Sequence, residues 1–102
     1  MKTLKEICAE FTGIEAGLMQ GTVGFRYEPA EGMKKSGHPV EIMDDVLNPV
    51  IYEIRHGRTP GAGTVSRTLA KLRSFRSTYG VEKLDAPLAD LEAWLSAARP
   101  AD

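Results

Sequence analysis

The sequence contains one cysteine and two histidines, and these shortages exclude several classes of site. A lone Cys8 cannot form an internal disulfide, and without a second cysteine it cannot build a cysteine-based zinc site. His38 and His56 stand in turn regions, and neither has a Cys or a second His at ligand spacing, so no metal or cofactor is expected. No nucleophile is placed beside a base, so the sequence predicts a protein that is not an enzyme.

Long apolar runs are also absent. No segment approaches the length that a membrane-spanning helix needs, so no membrane partner is expected. The stretch MKTLKEICAEF has Glu6 and Glu10 where a signal peptide needs an apolar core, which predicts a cytoplasmic protein. A length of 102 residues with 42% hydrophobic and 26% charged residues is typical of one globular domain, which we assign to residues 1–102.

Acidic residues are missing from the interval between Glu53 and Glu82. This interval holds six basic residues, although the net charge of the whole chain is −1. They are Arg55, Arg58, Arg67, Lys71, Arg73 and Arg76. The rest of the chain is therefore strongly acidic, and the sequence predicts a local positive field on an acidic body.

The first half of the chain predicts one helix and the minor β element. Thr3 and Glu6 form a capping box for a helix over about residues 4–12 that stops near Gly13, with one further helical turn possible after it. The stretch TVGFRYEP predicts a strand over 22–28, because β-branched and aromatic residues are followed by a proline. VEKL, residues 81–84, is read as a second short strand.

The second half predicts three helices. An apolar stripe through Met43, Leu47 and Val50 predicts a helix that ends at Gly57, and Pro49 leaves open whether this helix is continuous or splits into two. Thr64 is expected to cap the next helix and Asp85 the last one. The fold class predicted is a small single domain, mainly α with a minor β element.

One face of the helix after Thr64 carries residues that suit nucleic acid. Arginine and lysine neutralise phosphates, arginine can hold a guanine edge with two hydrogen bonds, and small side chains allow close approach to a groove. The free amides of a helix's first turn can contact a further phosphate. The candidate DNA-binding residues are Arg55, Arg58, Thr64, Ser66, Arg67, Lys71, Arg73 and Ser74.

The stretch TVSRTLAKLR, residues 64–73, resembles the recognition helix of helix-turn-helix and winged-helix DNA-binding regulators. In that family the pattern Thr-Val-Ser-Arg-x-Leu-x-x-Leu recurs. The resemblance implies that Thr64, Ser66 and Arg67 contact DNA. It also implies that Val65, Leu69 and Leu72 pack on the preceding helix, and that residues 40–80 form a helix-turn-helix or winged-helix-like fold.

These observations predict a non-catalytic protein that binds double-stranded DNA, a small transcriptional regulator or accessory protein of a bacterium or a mobile element. One short helix makes few contacts, so a homodimer is expected to place two such helices one turn apart on DNA. The alternative is a protein-interaction module, such as a small inhibitor or adaptor, that binds a protein partner. Its surface would be the acidic remainder, including residues 40–45 and the segment 28–39.

Overall fold

The computed structural model describes residues 2–24 and 39–98 of the chain. In these residues the fold is mainly helical, as predicted. The elements in chain order are α1 (Leu4–Gln20), α2 (Pro39–Arg55), α3 (Ala62–Tyr79), a 3-10 turn (Glu82–Leu84) and α4 (Asp85–Ala98).

Helix α1 begins where the capping box predicts. The Thr3 hydroxyl accepts from the Glu6 amide at 3.2 Å, and the Glu6 carboxylate accepts from the Thr3 amide at 3.0 Å. The predicted stop near Gly13 is wrong, because the helix continues to Gln20 and ends at Gly21 in the left-handed conformation, with φ 77°. An exposed glycine inside a helix, such as Gly13, costs only about 1 kcal/mol relative to alanine. The helix continues past it because Leu18 extends the buried apolar stripe.

Helix α2 is continuous through Pro49, which settles the alternative that the sequence left open. Proline has no amide hydrogen, so the carbonyl of Asp45 loses its donor in the helix ladder. One residue later, the carbonyl of Val46 accepts a hydrogen bond from the hydroxyl of Thr68 on α3 at 3.4 Å. Thr68 is buried, so this bond satisfies its hydroxyl inside the interface between α2 and α3.

Helix α3 begins two residues before the predicted cap. Gly61 occupies the N-cap position with extended backbone, and Thr64 is the third residue of the helix rather than its cap. The buried Pro60 fixes the chain just before this start. Val65, Leu69 and Leu72 are buried, as predicted. Helix α4 likewise includes Asp85 as its first residue, so Asp85 does not cap it.

The minor β element is absent from the described residues. VEKL was predicted as a strand, but Glu82–Leu84 forms a 3-10 turn that leads directly into α4. Val81 and Leu84 are both fully buried, and their spacing of three residues fits a 3-10 turn that puts both side chains on one side. Within the predicted strand at 22–28, residues 22–24 are not in a strand, and residues 25–28 lie outside the described part of the chain.

The four helices of the described chain form a ring of antiparallel neighbours. Helix α1 packs on α2, α2 on α3, α3 on α4, and α4 closes the ring against α1. The early residue Ile42 of α2 borders the late residue Tyr79 of α3, and the late residue Tyr52 borders the early residue Thr64. The contact between α2 and α3 therefore runs along both helices, as in an up-down four-helix bundle.

One core fills the centre of this bundle. Ile7, Phe11, Met43, Leu47, Leu72 and Leu91 are among its most deeply buried side chains. Trp94 on α4 is 9% exposed and joins the same core. Among residues 2–24 and 39–98, no helix combines the length and the apolarity needed to cross a membrane.

Candidate nucleic-acid interface

Helix α3 lies between α2 and α4, so its exposed surface has two edges. Thr64, Lys71 and Ser74 border clefts whose other wall is α2. Arg73 and Arg76 border a cleft whose other wall is α4. Between the edges, Ser66 and Ala70 are exposed, and the exposed Ser77 borders the cleft beside α4. The polar face predicted for α3 is therefore present.

The edge beside α4 is electrically neutralised. Arg73 forms an ion pair with Glu92 of α4. Arg76 Nε lies 2.8 Å from Asp85 Oδ1, and Arg76 Nη2 donates to Asp85 Oδ2 at 3.0 Å. The guanidinium holds the pKa of the Asp85 carboxyl below its usual range, and that carboxylate raises the pKa of Arg76. These two arginines therefore add little net positive field to the surface.

We call the other border of the exposed surface the α2-side edge, and it consists of Thr64, Arg67, Lys71 and Ser74. Arg67 Nη2 donates to the Thr64 hydroxyl at 3.5 Å, which places its guanidinium above the first turn of α3. Neither Arg67 nor Lys71 forms an ion pair with a carboxylate of the described residues. Both side chains belong to exposed residues, so their charge reaches the solvent. This edge is where the structure brings the predicted contacts together.

The two remaining cations among the predicted contact residues, Arg55 and Arg58, add no free positive charge to the α2-side edge. Arg58, in the connection between α2 and α3, binds Glu53 with its Nε 2.5 Å from Oε2. The ion pair lowers the pKa of Glu53 and raises that of Arg58. Arg55, at the end of α2, borders a groove whose other wall is α1, with Cys8 at its base. It faces away from α3.

Sequence reasoning missed both the acidic partners and an aromatic neighbour. Glu92 and Asp85 lie 19 and 9 residues from the arginines they bind, so no local spacing signals those ion pairs. Tyr52 was overlooked for a different reason. It falls outside the apolar stripe of α2, and that offset indicates an exposed aromatic side chain next to the start of α3.

The first two turns of α2 carry exposed acidic side chains. Glu41, Asp44 and Asp45 are exposed there, and Glu15 of α1 adds a carboxyl group that hydrogen-bonds to Asp44. Partial burial, and after it the negative charge of Asp44, raises the pKa of Glu15 from its ordinary 4.5 to about 7. No group of three or more metal-ligating side chains occurs in the described ranges.

The chain was compared with protein-family models, with curated proteins and with solved structures, and none of the three comparisons found a match.

Proposed function

We propose that the protein binds double-stranded DNA through α3, without catalysis, as a small regulator or accessory protein. One observation carries the proposal. Arg67 and Lys71 lie one helical turn apart on the α2-side edge of an 18-residue helix without an acidic residue, and no described carboxylate pairs with them. Small exposed side chains beside them, Ser66 and Ala70, allow the backbone to approach a groove.

The number of available cations sets the expected strength of binding. Each neutralised phosphate contributes about −0.9 to the slope of log K against log salt concentration. Arg67 and Lys71 together therefore predict a slope of about −2 for one chain, since three of the other interval cations are ion-paired. A homodimer with two such edges would reach about −4, so the proposal includes a dimer on DNA.

The resemblance of residues 64–73 to a recognition helix stays a prediction. In a helix-turn-helix motif the two helices meet at about 90–120° across a turn of three or four residues. Here α2 and α3 lie side by side and are joined by residues 56–61. The proposal therefore uses the exposed edge of α3 in a bundle and does not depend on the helix-turn-helix crossing.

The test is a salt titration of fluorescence anisotropy with a labelled random-sequence duplex and a selected site. Arg67→Ala should cost about 1–3 kcal/mol at the selected site and relax its sequence preference at one position. Lys71→Ala should weaken binding to both duplexes equally and reduce the salt slope by about one. Lys83→Ala removes an exposed cation from the 3-10 turn and is the matched control, with no expected effect. Absence of wild-type binding at about 50 mM salt would refute the proposal.

A second candidate is a protein-interaction module that uses the acidic side of α2. The observation that favours it is the row of exposed carboxylates Glu41, Asp44 and Asp45, with Glu15 beside them. A basic protein partner would fit this surface. The double variant Asp44→Asn, Asp45→Asn separates the two candidates, because it should abolish binding of such a partner and leave DNA binding intact.

A further inference from the structure

Tyr52 is an aromatic side chain that the core does not use. It is 51% exposed, and among the described residues only Met19 is a comparably exposed large hydrophobic side chain. Tyrosine usually buries its ring in a core or at an interface, because the ring carries a large apolar surface. An exposed tyrosine that shares a cleft with Thr64, to which Arg67 is hydrogen-bonded, therefore indicates a contact surface for a partner.

Tyr52 contacts two neighbouring side chains and also lines a cleft. His56, one turn later, stacks on the ring with centroids 4.2 Å apart, and its Nδ1 donates to the Tyr52 carbonyl oxygen at 2.8 Å. Arg58 lies 5.7 Å from the ring centroid. On the side of Asn48 and Pro49, one turn earlier, the ring borders an open cleft that neither His56 nor Arg58 lines. Tyr52 therefore contributes both to these contacts and to the wall of the cleft.

The cleft has the size and polarity of a ligand site. Its volume is about 490 Å³, within the range of about 300–1,000 Å³ that small-molecule sites show. Asn48, Thr59 and Thr64 supply amide and hydroxyl groups to its walls. Arg67 stands at its rim through its hydrogen bond to Thr64. The carboxylate in the wall, Glu53, is neutralised by Arg58.

We propose that this cleft receives an unpaired nucleobase, which stacks on Tyr52 while Arg67 holds a neighbouring phosphate. The inference rests on the proposed nucleic-acid function and narrows its substrate to DNA that carries a single-stranded end or an extruded base. Aromatic side chains beside a cationic edge bind single strands in this way, because every base has a π-face and stacking is tolerant of sequence. A base stacked inside a duplex cannot reach the ring, so Tyr52 distinguishes the two forms of DNA.

The experiment compares three labelled probes by fluorescence anisotropy at one salt concentration. The first is a blunt duplex, the second carries a short thymidine tail, and the third carries an abasic tail with the same phosphates. Wild type should bind the thymidine tail about five- to a hundredfold more tightly than the abasic tail, the range that stacking of one base contributes. Tyr52→Leu should remove this preference, and Tyr52→Phe should keep it, since the phenyl ring still stacks.

Each outcome decides between this inference and the function on which it rests. Equal binding of the two tails by wild type, with clear binding of the blunt duplex, overturns the inference and leaves the proposed function standing. Retention of the preference in Tyr52→Leu also overturns it, because another residue would then read the base. No binding of any probe removes both proposals together. Tighter binding of a polyglutamate peptide than of the thymidine tail would assign the cleft to an acidic protein partner.

Discussion

Arg76 of α3 and Asp85 of α4 are joined by two parallel hydrogen bonds, 2.8 Å and 3.0 Å long. Asp85 is the first residue of α4, so the pair ties the end of α3 to the start of the next helix. Arg73 and Glu92 repeat the arrangement further along the same interface. The cations of α3 thus form two groups. Arg73 and Arg76 pair with carboxylates of α4, whereas Arg67 and Lys71, on the side of α2, form no ion pair with a described carboxylate.

This division predicts that Glu92→Gln strengthens DNA binding. The substitution removes the carboxylate that pairs with Arg73 and keeps the size of the side chain, so Arg73 becomes available to a phosphate. The slope of log K against log salt should become steeper by about 0.9. The same salt titration measures it, and Glu41→Gln, which removes an exposed carboxylate of α2 and leaves the Arg73–Glu92 pair intact, is the control. A slope unchanged by Glu92→Gln would show that Arg73 does not reach DNA even when it is free.

The second prediction concerns the packing of α3. Leu72 is fully buried, so Leu72→Ala should destabilise the protein by about 2–5 kcal/mol through lost apolar contact and the cavity left behind. Chemical denaturation followed by circular dichroism gives the free energy of unfolding. The neighbouring Lys71→Ala, at an exposed position, should stay within about 0.5 kcal/mol of wild type. Similar losses in both variants would contradict the orientation of α3.

The two internal glycines of α1 should respond in opposite directions to alanine. A Cβ at Gly13 meets no atom within 4 Å, so Gly13→Ala should stabilise the protein by about 0.5–1 kcal/mol through helix propensity. A Cβ at Gly17 would clash with Val23 Cγ2, because the chain after Gly21 folds back onto α1. The amides of Thr22 and Val23 both donate to the Gly17 carbonyl there. Gly17→Ala should therefore lower the thermal midpoint, and a rise in both variants would contradict this close approach.

The fourth prediction concerns pH and Glu15. Its pKa is raised to about 7 in the folded protein, above its ordinary value of 4.5, so the folded state holds a proton that the unfolded state has released between these values. Stability should therefore be highest at the acid end of this window, fall as the pH rises through it, and level off above about 7.

Glu15→Gln should abolish this component of the pH profile. At pH 8 the variant should be more stable by about 1 kcal/mol, or about 4–8 °C in thermal midpoint, a value kept small because the carboxyl is only partly buried. Thermal denaturation at several pH values measures both effects. If Glu15→Gln and wild type have the same pH profile, the contact between Glu15 and Asp44 has no energetic consequence.

Periodicity predicted the helices well because each has a buried stripe. Met43, Leu47 and Val50 placed α2, and Val65, Leu69 and Leu72 gave the buried face of α3, all confirmed by burial. The ends were harder to predict. Gly13 was interpreted as the end of α1 because glycine is a common C-cap. Whether a helix continues past such a glycine depends on whether the following apolar residues can be buried, and Leu18 is buried in the core.

The residue types of the candidate site could be read from the sequence, but the ion pairs that determine its net charge could not. The acid-free interval shows where the cations lie along the chain, but their free charge depends on carboxylates from other elements. Glu92 neutralises Arg73 only because α4 returns antiparallel to α3, which is a tertiary fact. The strand predicted for VEKL failed for a similar reason, since Val81 and Leu84 bury themselves in the bundle and the described residues offer no partner strand.

The ring of neighbouring helices has a kinetic consequence. Three of its four interfaces join helices that follow one another in the chain, so most native contacts close short loops. Helical bundles rich in local contacts fold within about microseconds to milliseconds, because little chain entropy is lost before those contacts form. The interface between α1 and α4 is the exception, because it joins the two ends of the described chain and includes the contact of Lys2 Nζ with Asp90 Oδ2 at 3.1 Å. Its formation has the largest entropic cost, which makes the docking of α1 onto α4 the expected last step of folding.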